Sequence, residues 1–291
     1  MSKSESKQNQ LEVVVYSPES KFRHPLDLFK EMWHDLLASR QLGWQLFLRD
    51  LKAQYRQSLL GFFWVLVPAL ATGIGLTIAN NAKIINIGET ELPYPAYVMF
   101  SMTLWQTFTQ AINAPIDALA GAKAMMAKIK FPPEAVVLSK MGQIGLNFGI
   151  RLILIIGLFI WFRFPVSWEI LIAPVALIHL IALGMAIGLF LAPIGSLYQD
   201  VQKTLSFAIN GWLFLTPVIY PPPEEGIFGT IVNFNPVTPL LVTTRELATG
   251  AELSHPVGFW IVSAIALIGL FLGWIFYHLA IPFLIERMSA T

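Results

Sequence analysis

The chain has 291 residues, 55% of them hydrophobic and only 13% charged, with a formal net charge of +1 and no cysteine. An ordinary soluble domain carries about 25% charged residues, so a soluble core cannot absorb this apolar excess. Disulfides, thiolate nucleophiles and Cys-ligated metals are excluded by composition, and the near-neutral charge gives no basic field for nucleic acid.

Residues 1–25 are rich in Ser, Lys, Gln and Glu and are expected to be a flexible cytoplasmic tail, because they bury too little apolar surface to offset ordering. They contain no basic, apolar and small-residue cleavage pattern, so no removable signal peptide is expected. Over residues 26–56 the pattern changes. Leu26, Phe29, Met32, Trp33, Leu36 and Leu37 recur at helical spacing, as do Trp44, Phe47, Leu48, Leu51 and Tyr55, with charges opposite. Two amphipathic helices are predicted. Such a stripe directly before a span lies in the headgroup layer or packs on neighbouring spans; the interfacial position is favoured because the basic face then meets anionic lipid.

Arg49, Asp50, Lys52 and Arg56 crowd the end of this arm, and no ionisable side chain follows from Gln57 to Ala82. A charge at mid-bilayer costs about 3 kcal/mol, whereas an apolar helix of about 20 residues crosses the hydrocarbon unaided. The first span is therefore placed here, and charge-poor stretches at 92–115, 141–162, 170–199, 204–223 and 256–277 give five more. The expected fold is an all-α membrane protein, with six transmembrane helices over 57–282 and a cytoplasmic tail at 283–291. Lysine and arginine concentrate in the arm before the first span and in the loop after the second, which puts both termini inside.

That loop, 117–134, reads as a cytoplasmic coupling loop. Residues 120–129 suit a short helix carrying Lys123 and Lys128, and Phe131-Pro132-Pro133-Glu134 is a rigid corner that opens the third span. Segment 220–250 is too long for a connector and too apolar for an exterior loop. Residues 227–234 form one short apolar stretch, and Thr238-Pro239 and Gly250 bound a second helix. Both are too short to span, so two re-entrant helices on the outer side are predicted, as a gate.

No phosphate-cradling loop, HExxH pair or nucleophile elbow occurs, so no catalytic residue and no metal ligand is assigned. Arg151 lies near the bilayer midplane and is either a substrate contact or a structural partner of a carbonyl or carboxylate. His179 and His278 read as packed or interfacial. Aromatics crowd the span ends, including Phe62 and Trp64, Tyr97, Trp105 and Phe108, and Trp212. Most belong to interface belts, but those turned inward would form a path on which sugar rings stack.

RDLKAQYRQSLLGFFWVLVP at 49–68, YPAYVMFSMTLWQTF at 94–108, KIKFPPE at 128–134, LYQDV at 197–201, and LTPVIYP followed by NPVTPLLVTTRE resemble the ABC-2-type permeases that export polysaccharides and polyol phosphates. These include the O-antigen, capsule and teichoic-acid exporters. The resemblance runs in order from Phe47 to Glu246. It implies a transport subunit of the bacterial inner membrane, not an enzyme, working as a homodimer with two copies of a separate ABC ATPase. No cofactor is expected in this chain; ATP and Mg belong to the ATPase. The expected cargo is a lipid-linked polysaccharide, O-antigen-like or another cell-surface glycan, moved through a channel at the dimer interface.

Carried over residue by residue, Arg49, Asp50, Lys52, Lys123, Lys128, Phe131 and Glu134 would contact the ATPase. Gly61, Phe62 and Trp64 would line the channel from the first span, joined by Tyr97, Trp105, Phe108, Arg151 and Trp212. Pro217, Tyr220, Asn235, Pro236, Pro239 and Arg245 would form the outer gate. The sequence departs from the family pattern at Gln54, where a basic residue is common, at Ser101, where Gly is common, and at Gln199, where Arg often precedes Asp200. The alternative is an ABC-2 exporter of a small hydrophobic drug or lipid. A secondary transporter lacks its intramembrane carboxylate here, and a membrane glycosyltransferase would have only Asp117 and Asp200 to work with.

Overall fold

The computed structural model describes residues 25–56, 58–85, 87–88, 90–126, 131–165, 167–223 and 226–289. Residues 1–24 of the tail expected at 1–25, Lys128 within the coupling loop and the side chains of the final residues lie outside that description. Among the described residues every regular element is helical.

The predicted arm is one helix, α1 (Pro25–Arg56), rather than two. It stays continuous because it is held along α4 (Glu134–Trp161). Gly43 makes that contact close, since a Cβ there would lie 3.0 Å from the Ala135 carbonyl oxygen and from Leu138 Cβ. Leu46 and Phe47 are buried, while Phe29, Trp33, Leu37 and Trp44 form a second apolar row that is exposed. The helix therefore combines the two expected placements, packing on a span with one row and offering the other outward.

The first apolar stretch is also broken. A 3-10 turn at Gly61–Val65, entered through Gly61 at φ 48, precedes α2 (Val67–Asn81), with Pro68 in its first turn where a missing N–H costs nothing. The second span and the predicted loop helix are a single helix, α3 (Tyr94–Met126), which runs through Pro115. Proline removes one backbone hydrogen bond and normally kinks a helix. Here α5 (Ala173–Leu197) packs directly against the site: Gly188 leaves room for the Ile112 carbonyl and the Pro115 ring, and a Cβ at Gly184 would lie 2.8 Å from the Phe108 carbonyl and from Ala111 Cβ. Small residues at this spacing let membrane helices approach to backbone contact.

α5 is the hub, packed on α3, on α8 (Val237–Thr249) and on α9 (Pro256–Ser289). A short 3-10 turn at Trp168–Leu171 leads into it. α6 (Gln199–Phe214) stops well before the predicted end at 223, because Pro217 withholds its N–H and disfavours helical geometry at Thr216. α7 (Gly226–Phe234) and α8 follow, bent by 86° to one another. α8 begins at Val237, capped by Pro236 rather than Thr238, and ends at Gly250, whose φ of 70 is the expected left-handed stop. α4, α5 and the Pro256–Leu284 part of α9 are each long and apolar enough to cross a bilayer.

Candidate functional site

The residues singled out by sequence gather at two ends of the bundle. At one end the turn after α6, residues 215–221, is clamped from several sides. Tyr97 on α3 donates its hydroxyl toward the carbonyls of Tyr220 at 2.8 Å and Pro217 at 3.3 Å. Tyr94, one turn earlier, donates to the Ile219 carbonyl at 3.1 Å. From α8, Arg245 donates to the same Pro217 carbonyl and to Ser101 Oγ, each at 3.2 Å. Its guanidinium lies 4.3 Å from the centre of the Tyr97 ring, and Nε is 3.8 Å from a Glu91 carboxylate oxygen.

Arg245 is 0% exposed, so its charge depends on these partners. The Tyr97 ring and the Glu91 carboxylate offset part of the cost of burying this charge, and Nη1 alone ties α8 to α3 and to the turn, while Nε and Nη2 have no hydrogen-bond partner among the described residues. Asn235, between α7 and α8, completes the clamp. Its amide donates to the Leu215 carbonyl at 3.0 Å and to Thr216 Oγ1 at 2.8 Å, while its oxygen accepts from Trp212 Nε1 at 2.9 Å and from the Val237 amide. Pro217 and Pro239 are buried, Tyr220 is half-buried and Pro236 is exposed. Of the residues expected at the gate, Pro217, Tyr220, Asn235 and Arg245 are joined around the turn, whereas Pro239 lies against Gly258.

The aromatic candidates divide. Trp105, Phe108 and Trp212 form a cluster of tilted and edge-to-face rings with centroids 5.5 to 6.4 Å apart, and Tyr97, Trp105 and Phe108 are enclosed within the protomer. Phe62 and Trp64 are exposed on the turn before α2, and Gly61 is half-buried there. Arg151 is buried on α4, with Nε donating to the Val65 carbonyl at 3.4 Å, a backbone partner of the kind expected for its structural role.

The other end carries the expected coupling residues. Asp50 accepts from Arg49 at 2.8 Å and sits 3.6 Å from Lys140 of α4, tying the end of α1 to that helix. Lys52 and Lys123 are exposed and Phe131 is half-buried. Glu134, expected on the surface that meets the ATPase, points inward instead: it is buried, with Oε1 2.7 Å from His278 Nδ1, which ties this corner to α9. Asp35 of α1 lies beside this pair; burial raises its carboxyl pKa, the Glu134 charge raises it further and His278 opposes the shift. Glu31, Asp35 and His278 bring potential ligand atoms within 4.8 Å of one another.

Sequence reading did not find Glu91, Ser101 or Tyr94 as partners of the gate, nor His278 as the partner of Glu134. No local pattern links them, since each joins helices far apart in the chain. The one usable signal was an ionisable residue at the edge of an apolar stretch, which demands a partner without naming it.

Residues 41–248 match the family described as ABC-2 type transporter. The O-antigen export system permease protein of Myxococcus xanthus is 25% identical over 221 residues, covering 73% of this chain and 82% of the relative. A protein of the same name from Klebsiella pneumoniae is 26% identical over 219 residues, 71% and 80% of the two chains. The polysialic acid transport protein of Escherichia coli is 20% identical over 247 residues, 80% and 91%.

Proposed function

Since this chain belongs to the ABC-2 type transporter family, we propose that it is the permease subunit of an ABC exporter that moves a lipid-linked polysaccharide across the bacterial inner membrane. The named functions of the relatives from Myxococcus, Klebsiella and Escherichia support this cargo class. The proposed assembly is a homodimer with two copies of a separate cytoplasmic ATPase. Each protomer contributes six spans, with both termini cytoplasmic: the turn and α2 as the first, then α3, α4, α5, α6 and α9. α7 and α8 re-enter from the outside.

The observation that carries the reading is the open face of α6. One side of this helix packs inward through Ile209 and Trp212, while Lys203 and Asn210 are exposed beside Phe207 and Phe214; Ser206, also exposed, donates its hydroxyl to the Gln202 carbonyl at 2.9 Å. Exposed polar side chains on a spanning helix are not stable against lipid, so they face water or a second copy. Two such faces opposed across a dimer axis give a polar conduit, with Phe62 and Trp64 near its entrance.

Energy enters at the cytoplasmic end. An ATPase bound at the end of α1 and at Lys123 and Phe131 would pull on α4 through Asp50 and Lys140, and on α9 through Glu134 and His278. The same α3 runs unbroken to Tyr97, which holds the outer turn. One rigid helix thus joins the coupling surface to the gate.

Depletion of this chain tests the cargo. Cells should lose surface polysaccharide and accumulate the lipid-linked polymer inside. Unchanged surface polymer would overturn the assignment.

A further inference from the structure

Where α3 meets α4, two membrane helices face each other through a polar seam instead of an apolar one. On α3 the row is Gln106, Gln110, Asn113 and Asp117, alternating spacings that keep one helical face. On α4 it is Lys140, Gln143, Asn147 and Arg151, on one face by the same rule. The helices are antiparallel and the rows oppose in register: Asn147 Nδ2 donates to Gln110 Oε1 at 3.4 Å, and Asp117 and Lys140 line the same cavity at the cytoplasmic end. From Asp117 to Gln106 the seam rises about 16 Å, roughly half of a hydrocarbon layer about 30 Å thick.

A cavity of about 310 Å³ lies between the rows, and all its lining residues except Ala114 and Ile144 carry polar groups. That volume is at the small end of ligand sites, which run from about 300 to 1,000 Å³, and it accommodates a sugar ring with its waters. Gln110, Asn113, Gln143 and Asn147 are only half-buried. Farther in, both polar atoms of the Gln106 amide and Nη1 of Arg151, a residue 3% exposed, have no hydrogen-bond partner among the described residues. These atoms are shielded from solvent and lie behind the cavity lining, so the groups that meet a ligand are the half-buried amides of Gln110, Asn113, Gln143 and Asn147.

The chemistry of the row narrows the ligand. Primary amides donate and accept together, which matches the adjacent hydroxyls of a sugar, and they do so without the strong anchoring of a charge. A polymer that passes through must be held at many weak sites and released from each. We propose that this seam is a hydrated groove that binds the hydroxyl groups of the exported glycan on the cytoplasmic side, ahead of the conduit between the α6 faces, with Asp117 and Lys140 at its mouth and Gln110 and Asn147 at its inner end. This rests on the polysaccharide-export reading above. It also assigns sugar contact to amides that the aromatic pattern did not suggest.

Because the chain has no cysteine, a single introduced thiol reports its own surroundings. Gln110→Cys, Asn113→Cys, Gln143→Cys and Asn147→Cys would each be placed in the full exporter and treated, in inverted vesicles, with a membrane-impermeant cationic methanethiosulfonate. Ile153→Cys, on the open apolar side of α4, is the control. The seam positions should react several times faster than the control. They should also be protected in vesicles from cells holding the lipid-linked polysaccharide, compared with cells unable to make it. Rates no faster than the control, or fast rates without protection, overturn the proposal.

As a functional arm, Gln110→Leu combined with Asn147→Leu should lower export about tenfold, the scale of a few weak hydrogen bonds lost per passing sugar. Should that variant fail to insert, the single-thiol rates still decide. The two readings fail differently. Normal surface polymer in chain-depleted cells defeats the export reading, whereas lost polymer on depletion with unprotected thiols defeats only the seam.

Discussion

At the scale of single residues, Arg245 shows how a charge is made tolerable inside the protein. It gives two hydrogen bonds, stacks on Tyr97 and faces Glu91, and its Ser101 partner stands where Gly is common in the family pattern. Arg245→Met keeps bulk but removes those contacts, so the purified protein should lose about 1.5–3 kcal/mol, the range for hydrogen bonds to a charged group. A drop in thermal midpoint in detergent would register the loss; an unchanged midpoint would contradict the clamp. Both Arg245 and Tyr97 were legible as interesting in the sequence, one as a gate residue and one as a channel residue. Their contact was not, because pairing between helices depends on register that a single sequence does not encode.

Asp35 gives a pH test at the same scale. Its folded carboxyl pKa is raised, chiefly by burial and then by the Glu134 charge, so the folded state holds that proton more tightly than the unfolded chain. The associated stability is present below the unfolded value of about 3.9 and is lost as pH rises through the folded value. Asp35→Asn should therefore raise the thermal midpoint at pH 7.5, with the gain shrinking as pH falls toward about 4. An equal gain at both pH values would place its origin outside this titration.

At the scale of elements, α5 carries the bundle through its small residues. Gly184, Gly188 and Gly195 lie against Phe108, Ile112 and Ile116 of α3. Gly188→Ala would press a methyl into the Ile112 carbonyl and the Pro115 ring, at a cost of about 1–3 kcal/mol by overpacking. Gly149→Ala, on α4 where nothing lies near an added methyl, should be close to neutral, and a detergent melt of the pair separates the two outcomes. The apolar stretches made the existence of these helices readable. Their breaks were less so: α3 runs through Pro115 because α5 supports it, and α1 stays single because Gly43 and Gly142 let it lie on α4, so that in both tertiary packing overrode the local signal. α6 ends at Phe214 for a local reason, the proline at 217, which the run of apolar residues masked.

At the scale of the whole molecule, two devices meet on one helix. The polar seam lies toward the C-terminal end of α3 and the clamp on the 215–221 turn at its N-terminal end, with α5 packed along the same helix. Composition alone placed the chain in the membrane, and family resemblance supplied the assembly. Neither told which face of the protomer is wet, since that follows from which polar side chains remain open after packing. On α6 this is Asn210, on the side where we propose that a second copy packs.

That placement is tested most directly by cross-linking across the proposed dimer axis. With no native thiol to interfere, Asn210→Cys in the assembled exporter should form a disulfide-linked dimer under mild oxidation. In inverted vesicles the linked form should stop ATP-driven entry of polysaccharide into the lumen, scored as protection from an added glycosidase, and reductant should restore it. Absence of a linked dimer, or undiminished transport by a fully linked one, would contradict a channel between two α6 faces.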